Sequence, residues 1–373
     1  MMFQPNSITP IIKLVENCNY TCSFCRYANH PPQEDSVMSL EMCKHILDEV
    51  CQYNISKGQN RATLIFHGGE PLLWGKRRFR KIYEYEKDLE KQHEGFRFYN
   101  GMQSNGYLLD EEWMDIFKEM EMSVGISLDG PEDMNFHYGA SGNSESMKRV
   151  IENIHMLQRH GATSGILSVV TDNHIGHAKE YFDFLYESGI TNTGFCYCYN
   201  PRDDIAIDPI KLADFLCESF DIYYHSEKQI RVREFDNTLL RLYGVEKKGC
   251  LFKERCECGS YICVSPNGTV GFCDAYEADS FNVGDIMQQS LNEVIASDIY
   301  QSTKALYLTP SQNACKDCEW RCVCGCGCGR NDIGKGAEQK SYFCETYKIL
   351  YRHIVDTLKS DPRLTEENKK MII

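Results

Sequence analysis

The sequence predicts a mixed α/β chain: an open, partial barrel of six βα units followed by a smaller cysteine-rich domain. Three observations carry this. Six short apolar runs recur through roughly the first 200 residues with amphipathic segments between them. Polar clusters fall at the carboxyl ends of four of those runs, and 12 of the 20 cysteines lie from Cys250 onward.

The strand candidates, in order, are Ile8–Val15, Ala62–His67, Phe96–Gln103, Ser123–Leu128, Ser164–Val170 and Thr193–Tyr199. Helical period separates them. Trp113, Ile116, Phe117 and Met120 follow Asp110, a candidate N-cap. Met147, Val150, Ile151, Ile154 and Leu157 run to Gly161 as a C-terminal stop. Strands alternating with helices imply parallel pairing with crossovers, and six units rather than eight imply an open barrel. In such sheets ligands gather at the carboxyl ends of the strands. The polar motifs fall there: Cys18 to Cys25 after the first strand, His67-Gly68-Gly69-Glu70-Pro71 after the second, Gln103-Ser104-Asn105-Gly106 after the third, and Ser127-Leu128-Asp129-Gly130 after the fourth.

Pro201, Asp203, Asp204 and Pro209 mark a boundary. The expected organisation is a barrel over 1–205, a helical bridge over 206–249, a cysteine-rich domain over 250–345 and a C-terminal helix over 346–373. The 250–345 segment is rich in Cys and Gly and poor in aliphatic residues, so metal is expected to replace packing there.

Composition narrows the function. At 373 residues the chain can bury one large core or two. Its cysteine content is several-fold above ordinary usage, yet the N-terminus MMFQPNSITP lacks a secretory pattern, so metal ligation explains it better than disulfides. No apolar run approaches the roughly 20 residues that span a bilayer, which places the chain in a reducing cytoplasm, away from membranes. A net charge of −14, from 54 acidic and 40 basic residues, disfavours nucleic acid and suits a peptide partner.

Cys18, Cys22 and Cys25 form a C-x3-C-x2-C run. Three thiolates can hold three corners of a 4Fe-4S cubane and leave the fourth iron open to substrate; a three-ligand zinc site or core cysteines are the alternatives. Gly68 and Gly69 allow close backbone approach, Pro71 stiffens the turn, and Glu70 with nearby carbonyls could receive an ammonium group. Ser127 and Asp129 suit ribose hydroxyls, and Gln103, Ser104 and Asn105 could contact a nucleoside, although caps and turns use the same residue types. Phe24 could pack on a purine ring or exclude water.

These motifs resemble radical S-adenosylmethionine (SAM) enzymes, in which the three-cysteine loop holds the SAM-binding cluster and Gly68-Gly69-Glu70-Pro71 matches the motif that binds the SAM amino group. The resemblance implies a TIM-like (β/α)6 barrel. Cys315-x2-Cys318-x5-Cys324-x3-Cys328-x15-Cys344, preceded by Cys250, Cys256 and Cys273, resembles the SPASM extension. That implies two auxiliary 4Fe-4S clusters, one on Cys250, Cys256, Cys273 and Cys328 and one on Cys315, Cys318, Cys324 and Cys344, with Cys322 competing with Cys324. Three clusters and SAM are the implied cofactors.

Eleven ligands leave nine cysteines. Cys43, Cys51 and Cys217 read as core, and Cys196 and Cys198 share one strand face near the rim.

Asp274, in Cys-Asp-Ala-Tyr, aligns with the catalytic base of anaerobic sulfatase-maturating enzymes, and repulsion from nearby thiolates is expected to raise its pKa. Arg26 and Tyr27 after Cys25, and His67 before the glycines, depart from that family. The resulting expectation is an oxidoreductase that takes a hydrogen atom from a peptide or protein substrate, first as a maturase of ribosomal peptides (RiPPs) forming thioether or carbon crosslinks. The alternative is a sulfatase maturase making formylglycine. Flavodoxin or ferredoxin would donate electrons. A non-enzymatic Fe-S electron carrier and a zinc-dependent nucleic-acid binder stand outside this class.

Overall fold

The computed structural model describes residues 3–25, 36–135, 143–200, 205–245, 258–274, 281–334 and 336–372. It divides into two units that interleave along the chain: residues 1–127, 136–164 and 258–306 in the first, and 128–135, 165–257 and 307–373 in the second.

The first unit contains β1 (Thr9–Val15), β2 (Arg61–Gly68), β3 (Arg97–Ser104) and β4 (Ser123–Ser127), paired in parallel in that order. Each agrees with its expected strand within a residue. Helices α1 (Leu40–Ser56), α2 (Lys76–Gln92), α3 (Glu111–Glu119) and α4 (Asn143–Arg159) alternate with them. Ser39 and Asp110 cap α1 and α3, their side chains accepting from Met42 N at 3.0 Å and Trp113 N at 3.1 Å. Phe79 of α2 meets Phe66, Trp74 and Trp113 edge-to-face at 5.3–5.4 Å between ring centres, so one aromatic ring pins two helices to the sheet. Cys43 and Cys51 are buried on the inner face of α1, as core.

The segment after Cys258 corrects an expectation. Tyr261–Val264 pairs in parallel with β1, and Thr269–Gly271 and Asn282–Asp285 continue outward as an antiparallel meander. Ile262, Val264, Val270, Phe272, Val283, Leu291 and Val294 are all buried. Ordinary apolar packing therefore holds this stretch. Its few aliphatic residues are spaced two apart on short strands, which concentrates them on one face.

β5 (Thr163–Val170), which belongs to the second unit from Gly165 onward, and β6 (Asn192–Tyr197) pair in parallel, followed by Arg231–Val232. Helices α5 (Ala178–Glu187) and α6 (Pro209–His225) cover them, and α7 (Cys344–Ser360) follows the cysteine-rich segment. Tyr181, Phe195, Phe215 and Phe235 form the aromatic core. The sixth strand stops short of Tyr199, because Tyr199–Asn200 pairs instead with Ile205–Ala206. Cys217 is only half-buried, so it is less a core residue than its helical spacing implied. No helix among the described residues is long and apolar enough to cross a membrane.

Glu86 of α2 is 1 % exposed and accepts from Asn100 Nδ2 at 3.0 Å, while Glu86 Oε1 and Asn100 Oδ1 have no hydrogen-bond partner. Burial pushes its carboxyl up to about 8. A group with a raised folded pKa stabilises fully below its unfolded value and loses that contribution as pH rises through the folded one. The Glu86 contribution to the Tm of the wild type should therefore decline from about pH 4.5 and be lost by about pH 8. Glu86→Gln, which carries no charge and can donate to Asn100 Oδ1, should flatten that decline in anaerobic thermal unfolding.

Candidate active site

The cysteine loop leaves β1 and folds onto the carboxyl ends of β2 and β3. Tyr20 N donates to Cys18 Sγ at 3.3 Å and Cys25 N to Cys22 O at 3.0 Å. Burial pushes the Cys18 thiol up to about 12, and the neighbouring Glu70, Cys22 and Cys25 add to the effect. The three thiols thus share one electrostatic neighbourhood.

Gly68 and Gly69 also permit a close approach of backbone to backbone. A Cβ on Gly68, at φ +146°, would stand 2.1 Å from Val15 O, and one on Gly69 would stand 2.2 Å from Asn17 O. The missing side chains let β2 close onto the backbone that carries the cysteines, with Gly69 N donating to Val15 O at 2.6 Å and Glu70 N to Asn17 O at 2.9 Å. Glu70 is fully buried. Its carboxylate accepts from Leu72 N (3.0 Å), Ser104 Oγ (2.8 Å) and Asn105 N (2.8 Å), and burial raises its pKa to about 7 against those bonds. Asn105 Nδ2 then reaches Asn19 Oδ1 at 2.8 Å and Cys18 Sγ at 3.7 Å. Glu70, Ser104 and Asn105, expected as ligand contacts, form a relay of hydrogen bonds that sets the loop.

Of the remaining expected contacts, Gln103 Nε2 donates to Ser127 Oγ at 2.9 Å, so these two meet each other. Asp129 is buried, and its Oδ1 accepts from Val169 N at 2.8 Å. Phe24 is half-buried within the loop.

Asp274 follows the strand Thr269–Gly271 and forms an ion pair with Lys13 of β1. Lys13 is 9 % exposed and lies opposite His67 in the β1–β2 register. His67 Nδ1 lies 2.8 Å from Gly68 N and 3.2 Å from Gly68 O. Burial, reinforced by the Lys13 ammonium, lowers the His67 pKa to about 4. Cys263 Sγ stands 3.9 Å from Asp274 Oδ1. The repulsion expected around Asp274 is therefore met by a cation. Sequence reasoning passed over Lys13, although a lone charge inside the apolar run Ile11-Ile12-Lys13-Leu14-Val15 is itself a signal.

In the second unit Cys315, Cys318 and Cys344 line one cavity of about 1010 Å³, together with Trp320, Lys340 and Lys348. Cys324 does not line it, lying instead near Tyr197, Tyr347 and Tyr351. Cys322 is exposed and Cys328 buried. Cys273 is half-buried in the first unit, and Cys250 and Cys256 lie outside the described residues. Cys196 ends β6 half-buried, and Cys198, just beyond it, is buried.

The N-terminal donor set fits an iron–sulfur cubane. It offers three thiols and N–H···S contacts to Cys18, and Asn19 Nδ2 is a buried donor without a partner. Among the described residues no three Cys, His, Asp or Glu side chains converge as ligands of a single ion.

Comparisons with known proteins agree. Residues 12–185 match the radical SAM superfamily and residues 256–319 match SPASM, an iron-sulfur cluster-binding domain. The chain carries a radical SAM domain followed by a SPASM domain, and iron–sulfur clusters and SAM are its cofactors.

Its relatives are more particular. It is 26 % identical over 370 residues to a cysteine-type anaerobic sulfatase-maturating enzyme of Clostridium novyi, covering 94 % of this chain and 96 % of that one. It is 25 % identical over 366 residues to a serine-type enzyme of Bacteroides thetaiotaomicron, covering 90 % and 86 %. In fold it resembles anSMEcpe with bound AdoMet and a peptide, at TM-score 0.82 and 24 % identity, covering 94 % and 98 %. Streptococcus suis SuiB bound to its precursor peptide is similar at TM-score 0.61 and 16 % identity, covering 87 % and 72 %.

Gly69→Ala places a methyl group against Asn17 O and should push the cysteine loop off β2. Anaerobic reconstitution should then incorporate about one cluster's worth less iron and sulfide than wild type, with the SPASM clusters retained.

Proposed function

We propose that this chain is an anaerobic sulfatase-maturating enzyme, which oxidises a cysteine or serine side chain of a sulfatase to formylglycine. Similarity along nearly the whole length to both cysteine-type and serine-type maturases carries the reading. It replaces the ribosomal-peptide maturase that the departures at Arg26, Tyr27 and His67 had favoured. A likeness in fold to SuiB keeps that second reading open to test.

In this reading Cys18, Cys22 and Cys25 hold the SAM-binding cluster, with the Gly68–Pro71 backbone, Gln103, Ser104, Asn105, Ser127, Asp129 and Phe24 around SAM. Cys250, Cys256, Cys273 and Cys328 hold one auxiliary cluster, and Cys315, Cys318, Cys324 and Cys344 the other. When bound, these groups supply one-electron cleavage of SAM to a hydrogen-abstracting radical and accept the electron that the substrate gives up. The protein's residues do the rest. Buried Glu70, Ser104 and Asn105 keep the cysteine loop in one position, and Asp274 accepts the proton of the substrate thiol or hydroxyl. Loss of a hydrogen atom, a proton and an electron makes the net change a two-electron oxidation, which gives the aldehyde directly from serine and a thioaldehyde from cysteine that water hydrolyses to the aldehyde with release of hydrogen sulfide. A flavodoxin- or ferredoxin-type protein supplies reducing electrons.

The test is an anaerobic reaction with SAM, reductant and a peptide bearing Cys-x-Pro-x-Arg, followed by mass spectrometry. Aldehyde formation is expected. Deoxyadenosine released over an unchanged peptide would turn the assignment to a different peptide substrate. Cys18→Ala should abolish deoxyadenosine formation, whereas Cys315→Ala should retain it.

A further inference from the structure

Lys13 is a charge set in the middle of an apolar strand. Ile12 and Leu14 on either side are fully buried, and Lys13 itself is 9 % exposed. A buried ammonium needs a partner, and an opposite charge in direct contact is the arrangement that makes its burial tolerable. Asp274 occupies that place, although it is 261 positions away along the chain and its own side chain is 26 % exposed. The two residues thus differ in access: Lys13 is deep and Asp274 is its outer, reachable member. The deep member is also the rigid one, because β1 is hydrogen-bonded on both sides, to β2 and to Tyr261–Val264.

His67, opposite Lys13 across the β1–β2 register, completes one wall, with its Nδ1 2.8 Å from Gly68 N. Cys263 borders Asp274 from the other neighbouring strand, 3.9 Å from its Oδ1.

We propose that Lys13 is a positioning residue for catalysis: from the rigid centre of β1 it holds the Asp274 carboxylate where the substrate's proton is to be received. This rests on the reading of Asp274 as the base given above. Lys13 does not take the proton. It remains an ammonium, and the substrate thiol or hydroxyl proton passes to the Asp274 carboxylate. A lysine that only stabilised the fold would, when removed, depress every function together. A positioning lysine would leave SAM cleavage intact and reduce the oxidised peptide formed per deoxyadenosine released.

The reconstituted holoenzyme is compared with Lys13→Met, Lys13→Arg and Asp274→Asn by iron and sulfide content, deoxyadenosine yield and peptide aldehyde yield. Lys13→Met should keep its clusters and SAM cleavage but make at least about tenfold less aldehyde per deoxyadenosine. Asp274→Asn should show the same uncoupling, and Lys13→Arg should restore much of the yield. A second measurement is independent of turnover: anaerobic thermal unfolding of Lys13→Met, Asp274→Asn and the double variant should be strongly non-additive, the double losing less than the sum of the singles. Wild-type coupling in Lys13→Met beside a defective Asp274→Asn would overturn the positioning role and leave the base assignment standing. Wild-type coupling in Asp274→Asn would overturn the base assignment and, with it, the role of Lys13. Loss of SAM cleavage in Lys13→Met alone, or additive unfolding, would reduce Lys13 to a structural residue.

Discussion

Backbone touches backbone where β2 ends. Gly68 and Gly69 carry no side chain at the two positions where a Cβ would overlap the carbonyls of Val15 and Asn17. That approach brings Glu70 under the cysteine loop, and the arrangement of the site follows from it. Desolvated and held by three donors, Glu70 joins the ends of β2 and β3, and Asn105 extends the connection to Cys18. A buried carboxyl so fully bonded has few alternative positions, because every departure strands a polar group in a dry interior. The loop that carries three thiols is therefore placed by tertiary hydrogen bonds.

A second constraint is electrostatic. Lys13 and Asp274 bring opposite charges together in the first unit, and the same ammonium helps keep the His67 imidazole neutral. Three ionisable side chains, from β1, from β2 and from just after the strand Thr269–Gly271, thereby meet within one small region. A cluster of ionisable groups that includes a strongly perturbed histidine is a mark of functional sites. His67, read from the sequence as a departure from the maturase pattern, lies inside this cluster.

The cysteine-rich part is of two kinds. Over 258–274 and 281–306 the chain is an ordinary apolar extension of the β1 edge, which composition alone had concealed because few aliphatic residues suffice on short strands. Farther on, Cys315, Cys318 and Cys344 gather around one cavity while Cys324 lies among tyrosines. Those three are among the four residues that the resemblance to SPASM implies for one auxiliary cluster. The position of Cys324 follows from a four-residue helical turn, Arg321–Cys324, that ends in left-handed Gly325.

By itself the sequence determined the order of the six strands, the extent of the first five to within a residue, the three-cysteine loop and the polar clusters at the strand ends, because periodicity and motif spacing are local properties read over a few residues. It also carried the two domain types. Only the tertiary structure decided what those clusters touch. The glycine pair faces backbone, Gln103 faces Ser127, and Asp274 faces a lysine 261 positions away along the chain. Contacts between residues far apart in sequence depend on how strands stack, and burial, which shifts the charge states of Cys18, His67 and Glu70, exists only once they have.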